Sequence, residues 1–322
     1  MLRTHLCDVL GIEFPIIQAG MSLFTSAELV AAVSNAGGLG SLGCDLRSVE
    51  DLTRQLSRIR QLTSRPFAVN HLLLTLNQEA FSVTLQAKPP VISLAGDDPG
   101  DLVKRAHDVG SLVMHQVHTV QQARQAAERG VDVVIAQGSE AGGHGGTVAA
   151  LALIPQVVDA VSPIPVVAAG GIADGRGLAA ALVLGAQGVN VGTRFLASVE
   201  APISQGWKQV ILEAASEDAV KFDAWNDISP PAGSGGYGTV LRAIRTPFID
   251  QWQRRRDEAK QQAERLRGEV FAAVKQGRLH ELMPVAGQSA GLIRDILPAG
   301  EIVRRIVAEA QTGLERSAQL LS

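Results

Sequence analysis

Three groups of residues in this 322-residue sequence have the types and spacing that chemistry requires. The first is a pair of glycine-bearing segments, Ala169, Gly170 and Gly171, then Gly192 and Thr193, each following a short apolar run and preceding a helical stretch. Glycine lets backbone N–H groups converge on an anion, and a helix N-terminus adds its dipole. One such segment alone reads equally well as a tight turn. Two, at the ends of consecutive strands, point to a phosphate cradle. The second group is QGSEAGGHGG at residues 137–146, which sets His144 between glycines that admit a ligand closely. A lone histidine is more often a structural donor, but His144 serves no apolar stripe, and its place favours chemistry. Glu140 reads as a support for this loop or for His144 rather than as a base. The third group is Gln18, Asn70 and Gln116, each ending an apolar run. Their neutral amides suit a neutral heterocycle, with Ala19, Gly20 and Met21 offering backbone contacts and a flat apolar surface beside it. His5, His107, His118 and His280 take the ordinary structural reading, and His71 and His115 stay open.

The elements that must position these groups alternate. Apolar runs at residues 15–18, 39–42, 67–70, 91–94, 112–116, 131–136, 165–169 and 188–191 read as strands buried on both faces. Stretches at 26–36, 48–62, 100–109, 120–129, 151–161 and 175–184 have helical spacing, and Ser26 is set to cap the first of these. Eight strand–helix alternations predict an α/β protein, a (β/α)8 barrel; the competing architecture is a doubly wound open sheet with fewer strands. In barrels, ligand-binding groups sit at the C-terminal strand ends, where all three groups fall. After Phe195 the pattern changes. Residues 201–215 read as a helix, 227–238 as a turn-rich segment, 251–269 as one charged helix, 283–293 as a glycine-bearing loop, and 301–320 as a last helix packing on the barrel. The expected organisation is a barrel over residues 1–200, a smaller, mainly helical lid over 201–285, and a return to the barrel over 286–322.

Composition narrows the function. Lys and Arg number 29 against 32 Asp and Glu, for a net charge of −3, without the basic stripe of a nucleic-acid binder. The arginines near 254–256 are interspersed with acids and read as a solvated helix face. Cys7 and Cys44 cannot build a disulfide framework, and no histidine pair has metal-ligand spacing. There is no GxSxG elbow and no GxGxxG at an N-terminal strand-to-helix turn. The sequence lacks a signal peptide's apolar core and any apolar run of membrane-spanning length, so the expectation is a soluble, cytoplasmic protein.

In order along the chain stand PIIQAGM (15–21), AVSNAGGLGSLG (32–43), PFAVN (66–70), GSEAGGHGG (138–146), AAGGIADGRG (168–177), VGTRF (191–195) and AGQSAGL (286–292). This set resembles the nitronate monooxygenase family, formerly called 2-nitropropane dioxygenases, over essentially the whole chain. That family also holds FMN-dependent enoyl-acyl-carrier-protein reductases of the second type. The resemblance implies a barrel with non-covalent FMN and a smaller domain over its mouth. It carries phosphate contacts onto Gly170, Gly171, Gly192 and Thr193, with Ala169 also cofactor-binding. It sets Ala19, Gly20, Met21, Asn70, Gln116 and Gln288 around the flavin, and His144 in the place of the catalytic histidine. Some relatives have lysine where Gln116 stands, beside the flavin pyrimidine edge, and a neutral glutamine stabilises a reduced, anionic flavin less. The implied activity is oxidation of an alkyl nitronate by O2 to a carbonyl compound and nitrite, without NAD(P)H. The alternatives are NAD(P)H-dependent reduction of an enoyl thioester, NAD(P)H:quinone reduction, and a non-catalytic FMN-binding barrel. The expected partners are a small-molecule nitronate and O2, with neither nucleic acid nor membrane, and homo-oligomerisation is left open.

Overall fold

The computed structural model describes residues 2–230 and 238–321. In chain order the strands are β1 (Ile16–Gln18), β2 (Gly40–Gly43), β3 (Phe67–Leu72), β4 (Val91–Ala95), β5 (Leu112–Val117), β6 (Val133–Gln137), β7 (Gly143–Gly145), β8 (Val166–Ala169), β9 (Gly188–Val191), β10 (Ala219–Lys221) and β11 (Val240–Ile244). Eight of them form one parallel sheet in the order β1, β9, β8, β6, β5, β4, β3, β2. The sheet closes on itself: Gln18 N donates to Leu39 O and Leu39 N to Ile16 O, both at 2.9 Å. The barrel expected from the alternation is therefore present, and the open sheet is not.

Period-two alternation explains why barrel strands such as β6 and β8 are apolar on both faces. Along β6, Val133 and Ile135 point into the barrel while Val134 and Ala136 pack outward under helices; β8 repeats this with Val167 and Ala169 inward, Val166 and Ala168 outward. One end of the barrel is plugged. Helix His5–Leu10 buries Leu6, Cys7 and Leu10 among Ile17, Ala68, Met114 and Ile135. Gly188 is obligatory there, since a Cβ would lie 2.6 Å from the Leu6 side chain and 2.7 Å from Pro15 O. With that end filled, only the C-terminal strand ends are left to form a site.

The segment after β9 builds its own core, holding all three tryptophans, Trp207, Trp225 and Trp252, with Phe222 and Phe248. Phe248 bridges Phe222 and Trp252, with ring centroids 6.2 and 6.4 Å away in edge-on geometry. Two expectations are corrected here. The charged stretch 251–269 is not one helix: Pro247–Arg254, Arg256–Gln261 and Ala263–Lys275 are separate, broken where Arg255 leaves helical geometry (φ −123°, ψ 48°). The Gly-His-Gly loop is also not only a loop. Its residues 143–145 form β7, the edge of an antiparallel sheet in the order β10, β11, β7. Helix Gln78–Ala87, capped by the Asn77 side chain, adds an element to the sequence reading. The last helix, Ala299–Ala318, packs against helices Gly175–Val183 and Ala27–Asn35, as expected.

Candidate active site

A cavity of about 370 Å³ opens at the C-terminal ends of the barrel strands and runs up beneath the β7–β11 sheet and helix Ala263–Lys275. Its lower wall brings together Ala19, Gly20, Met21, Asn70, Gln116, Ala169, Gly170, Gly171, Gly192 and Thr193, all expected from sequence, and His144 faces it from β7. Gln288, also expected, stands apart from these. It lies off the cavity wall, where its N–H donates to Glu140 O at 2.9 Å, and Ser289 lines the cavity instead. Gln18 is a correction. Fully buried, its amide accepts from Ser41 N at 3.0 Å and donates to Ser41 O at 3.1 Å, so it locks β1 to β2 rather than meeting a ligand.

The glycine pair after β8 is required by its backbone. Gly170 and Gly171 have φ of +95° and +74°, and a Cβ on Gly170 would sit 3.0 Å from Gly138 O and 3.2 Å from Ala141 N. Thr193 Oγ1 accepts from Gly287 N at 2.9 Å, which ties the cradle to the returning C-terminal segment. The expected helix N-terminus is not the anion site. The Asp174 side chain accepts from Arg176 N and Gly177 N, and Glu309 accepts from Gly175 N at 3.0 Å, so two carboxylates already occupy that helix end.

Asn70 Nδ2 donates to Ser93 Oγ at 3.1 Å, and Gly20 packs on Asn70 so closely that a Cβ would lie 2.3 Å from its Cβ. Sequence reasoning missed Ser41 and Asn190. Both line the cavity, both are at least nine-tenths buried, and Ser41 Oγ and Asn190 Oδ1 have no hydrogen-bond partner in the protein. Buried polar atoms are normally paired. Two orphans in one cavity are what a polar ligand would satisfy. A pattern reading passes over both because Gly-Ser-Leu-Gly and Gly-Val-Asn-Val look like ordinary buried strands.

His144 is held by pairing of β7 with β11, opposite Leu241, and its Nδ1 lies 3.4 Å from Thr239 Oγ1. Gly142 lets this strand pass under the C-terminal segment, since a Cβ there would be 2.5 Å from the Ala286 carbonyl carbon. Burial, then the charges of Lys221 and His118, lower the His144 pKa to about 4, so the ring is neutral at pH 7. Glu140 holds the loop, as one sequence reading had it: its carboxylate accepts from Ala150 N at 3.1 Å. His118 takes a structural place behind the cavity wall. Its Nε2 is 2.8 Å from Oε1 of Gln137, which lines the cavity. His71 resolves as structural, 2.9 Å from Thr84 Oγ1.

Among the described residues lining the cavity, Asp45 and His144 are the only titratable side chains. The upper wall is apolar: Phe24, Leu46, Val270, Phe271, Val274 and Met283. Trp225 also lines it, whereas Tyr237, in the turn-rich stretch, lies outside the described residues.

The nitronate monooxygenase family profile matches residues 3–81 and 76–309. The chain belongs to that family. A "probable nitronate monooxygenase" of Staphylococcus haemolyticus is 35% identical over 296 residues, 77% of this chain and 80% of the relative. The (3aS,4S,5R,7aS)-5-hydroxy-7a-methyl-1-oxo-octahydro-1H-indene-4-carboxyl-CoA dehydrogenase of Mycobacterium tuberculosis is 38% identical over 222 residues, 68% of this chain but only 62% of that relative's length. The solved structure of FabK from Thermotoga maritima superposes with a TM-score of 0.91 at 38% identity, covering 99% of this chain and 100% of the other.

FMN, implied by the family resemblance, fits the residues present. A glycine cradle without side chains at one wall suits a phosphate, two orphaned polar atoms and the Asn70 and Gln116 amides suit ribityl hydroxyls and a heterocycle's edge, and Met21 supplies an apolar face.

Proposed function

We propose that the chain is an FMN-dependent monooxygenase of alkyl nitronates. In overall balance, two nitronates and one O2 give two carbonyl compounds and two nitrites, with no nicotinamide cofactor. Bound FMN would supply the redox chemistry that couples oxidation of the nitronate to O2. Gly170, Gly171, Gly192 and Thr193 would hold its phosphate through backbone N–H groups. Asn70, Gln116, Ser41 and Asn190 would meet its polar atoms, and Ala19, Gly20 and Met21 its ring.

The observation that carries this reading is the lone, neutral His144 facing a cavity wall without Lys or Arg among its described residues. The segment 231–237 adds no charged side chain either. A neutral imidazole N–H donates a hydrogen bond to a nitro oxygen without a permanent charge. For a nitronate, already deprotonated, this orientation suffices; for a neutral nitroalkane the same ring has to take the α-proton. Among its described residues the wall offers no Lys or Arg for the pyrophosphate of a dinucleotide.

One observation favours the second reading, NAD(P)H-dependent reduction of an enoyl thioester: the apolar upper wall from Val270 to Met283 would suit an acyl chain. Anaerobic mixing separates the two. The proposal expects an alkyl nitronate to bleach the oxidised flavin spectrum and NADH or NADPH to leave it unchanged. Bleaching by the nicotinamide alone supports the reductase instead.

A further inference from the structure

The small sheet over the cavity carries two cations, Arg242 buried and Lys221 half-buried, that hold both ends of the loop bearing His144. Arg242, on β11, donates from Nη2 to Ser139 O at 2.9 Å and from Nε at 3.2 Å, with Nη1 on Ala219 O. Lys221, the last residue of β10, crosses to the other end. Its Nζ donates to Gly145 O at 2.9 Å, Val240 O at 3.1 Å and Gly146 O at 3.3 Å. An ammonium has three donors and no acceptor, and here three carbonyls meet all three. Two of those carbonyls belong to the residues immediately after His144, and the third belongs to the β11 residue paired with Gly145.

From this geometry we infer that Lys221 is a positioning residue for His144: its ammonium, held on the carbonyls of Gly145, Gly146 and Val240, fixes the strand that presents the imidazole. The inference rests on the role of His144 in the proposed nitronate chemistry, which it deepens. The site is built for it. Gly145 is tight against this ammonium, since a Cβ would lie 3.3 Å from Nζ and 3.5 Å from Gln137 Oε1. Gly146 leaves room for His118, whose Cβ would be 2.7 Å from an added one. Two short glycines after His144 thus let the strand settle onto a lysine and a histidine that arrive from β10 and from the end of β5.

The other charged groups around the pair are Arg242 on β11, Asp223 after β10, Glu140 in the loop itself and His118 after β5. Burial and Arg242 bring the Lys221 pKa down to about 8, against the raising influence of Asp223 and Glu140. At pH 7 the lysine is therefore largely charged while His144 is neutral. Protonating His144 beside it would put two like charges in one part-buried site, which is disfavoured.

The test uses the FMN-loaded enzyme as wild type, Lys221→Met and Lys221→Arg. NMR titration of the His144 ring nitrogens reads its pKa directly, and nitrite release gives kcat and KM. In Lys221→Met the His144 pKa rises from about 4 by about one unit, tenfold in proton affinity. In Lys221→Arg it stays low because the charge is kept. In both variants kcat falls more than KM changes, because neither side chain places three donors on three carbonyls from a single point. Where Lys221→Met does not fold, Lys221→Gln removes the charge with two donors kept. An unmoved His144 pKa in the uncharged variant overturns the inference, as does loss of activity that tracks melting temperature alone. The titration needs no turnover, so it stands apart from the nitronate reading, whose failure appears as absent nitrite release in the wild type.

Discussion

Gly171→Asp is expected to strip the protein of flavin while leaving it folded. Gly171 sits at φ +74°, a left-handed conformation costing a non-glycine residue roughly 1–2 kcal/mol, with Asp and Asn the side chains best able to adopt it. Space is not the obstacle: an added Cβ would meet only the Glu140 side chain, at 3.6 Å. The carboxylate would then face the proposed phosphate position. Two unit charges about 5 Å apart at an effective dielectric constant of about 20 repel by about 3 kcal/mol, about a hundredfold in affinity. The phosphate carries more than one charge, so this is a lower figure. Gly171→Asn is the control, with the same shape and backbone strain but no charge. Titrating apoprotein with FMN by flavin fluorescence quenching, with a melting curve on each sample, should show the Asp variant about a hundredfold weaker than the Asn variant. Equal FMN affinity in the two would refute the placement of the phosphate.

Acid should weaken the fold through three histidines. Burial lowers His71, His115 and His144 from 6.5 to about 4. Below pH 6.5 the unfolded chain takes up protons that the native state refuses, so stability is full near neutrality and falls as pH drops toward 4, by up to about 3 kcal/mol for each group. Melting temperature should decline steadily over that range; a flat profile contradicts the burial argument. Asn190→Leu removes an orphaned buried acceptor, so the flavin-free protein should be at least as stable as wild type while FMN binds more weakly. Weakened apoprotein with unchanged FMN affinity would place Asn190 outside the flavin site. Gln116→Lys should raise the flavin midpoint potential, because a cation at the cavity wall favours the anionic reduced form; about 1.4 kcal/mol of added stabilisation is about 30 mV for a two-electron couple. A potential that stays put or falls argues against Gln116 lying at the flavin's edge.

The barrel was legible because its strands are apolar on both faces. The expected strands lie within two residues of β1–β6, β8 and β9 at either end. The need for glycine after β8 was legible too, since Gly170 and Gly171 occupy backbone geometry that other residues resist. The small sheet was not. β7 is Gly-His-Gly, with no strand propensity of its own, and it exists because Val240–Ile244, nearly a hundred residues later, pairs with it. Lys221 was hidden for the same reason: its partners Gly145 and Gly146 are brought to it only by that pairing. The break at Arg255 leaves no trace in a run of helix-forming residues, QRRRDEAKQQ, because packing against the second core sets it and no glycine or proline marks it. Gln18 misled for a related reason. A polar residue at a strand end looks the same whether it faces a ligand or, as here, a neighbouring strand's backbone.

Action of His144 on substrate at the proposed flavin cavity is tested most directly by one preparation of His144→Ala. Melting temperature, flavin occupancy and nitrite release are measured together, with a nitronate and with the corresponding neutral nitroalkane. The predicted result is unchanged fold and full flavin, with turnover down by about 10²-fold or more on the nitroalkane, which needs a proton removed, and by less on the nitronate. Wild-type turnover in the variant, or an activity loss fully explained by lost flavin, would contradict the account.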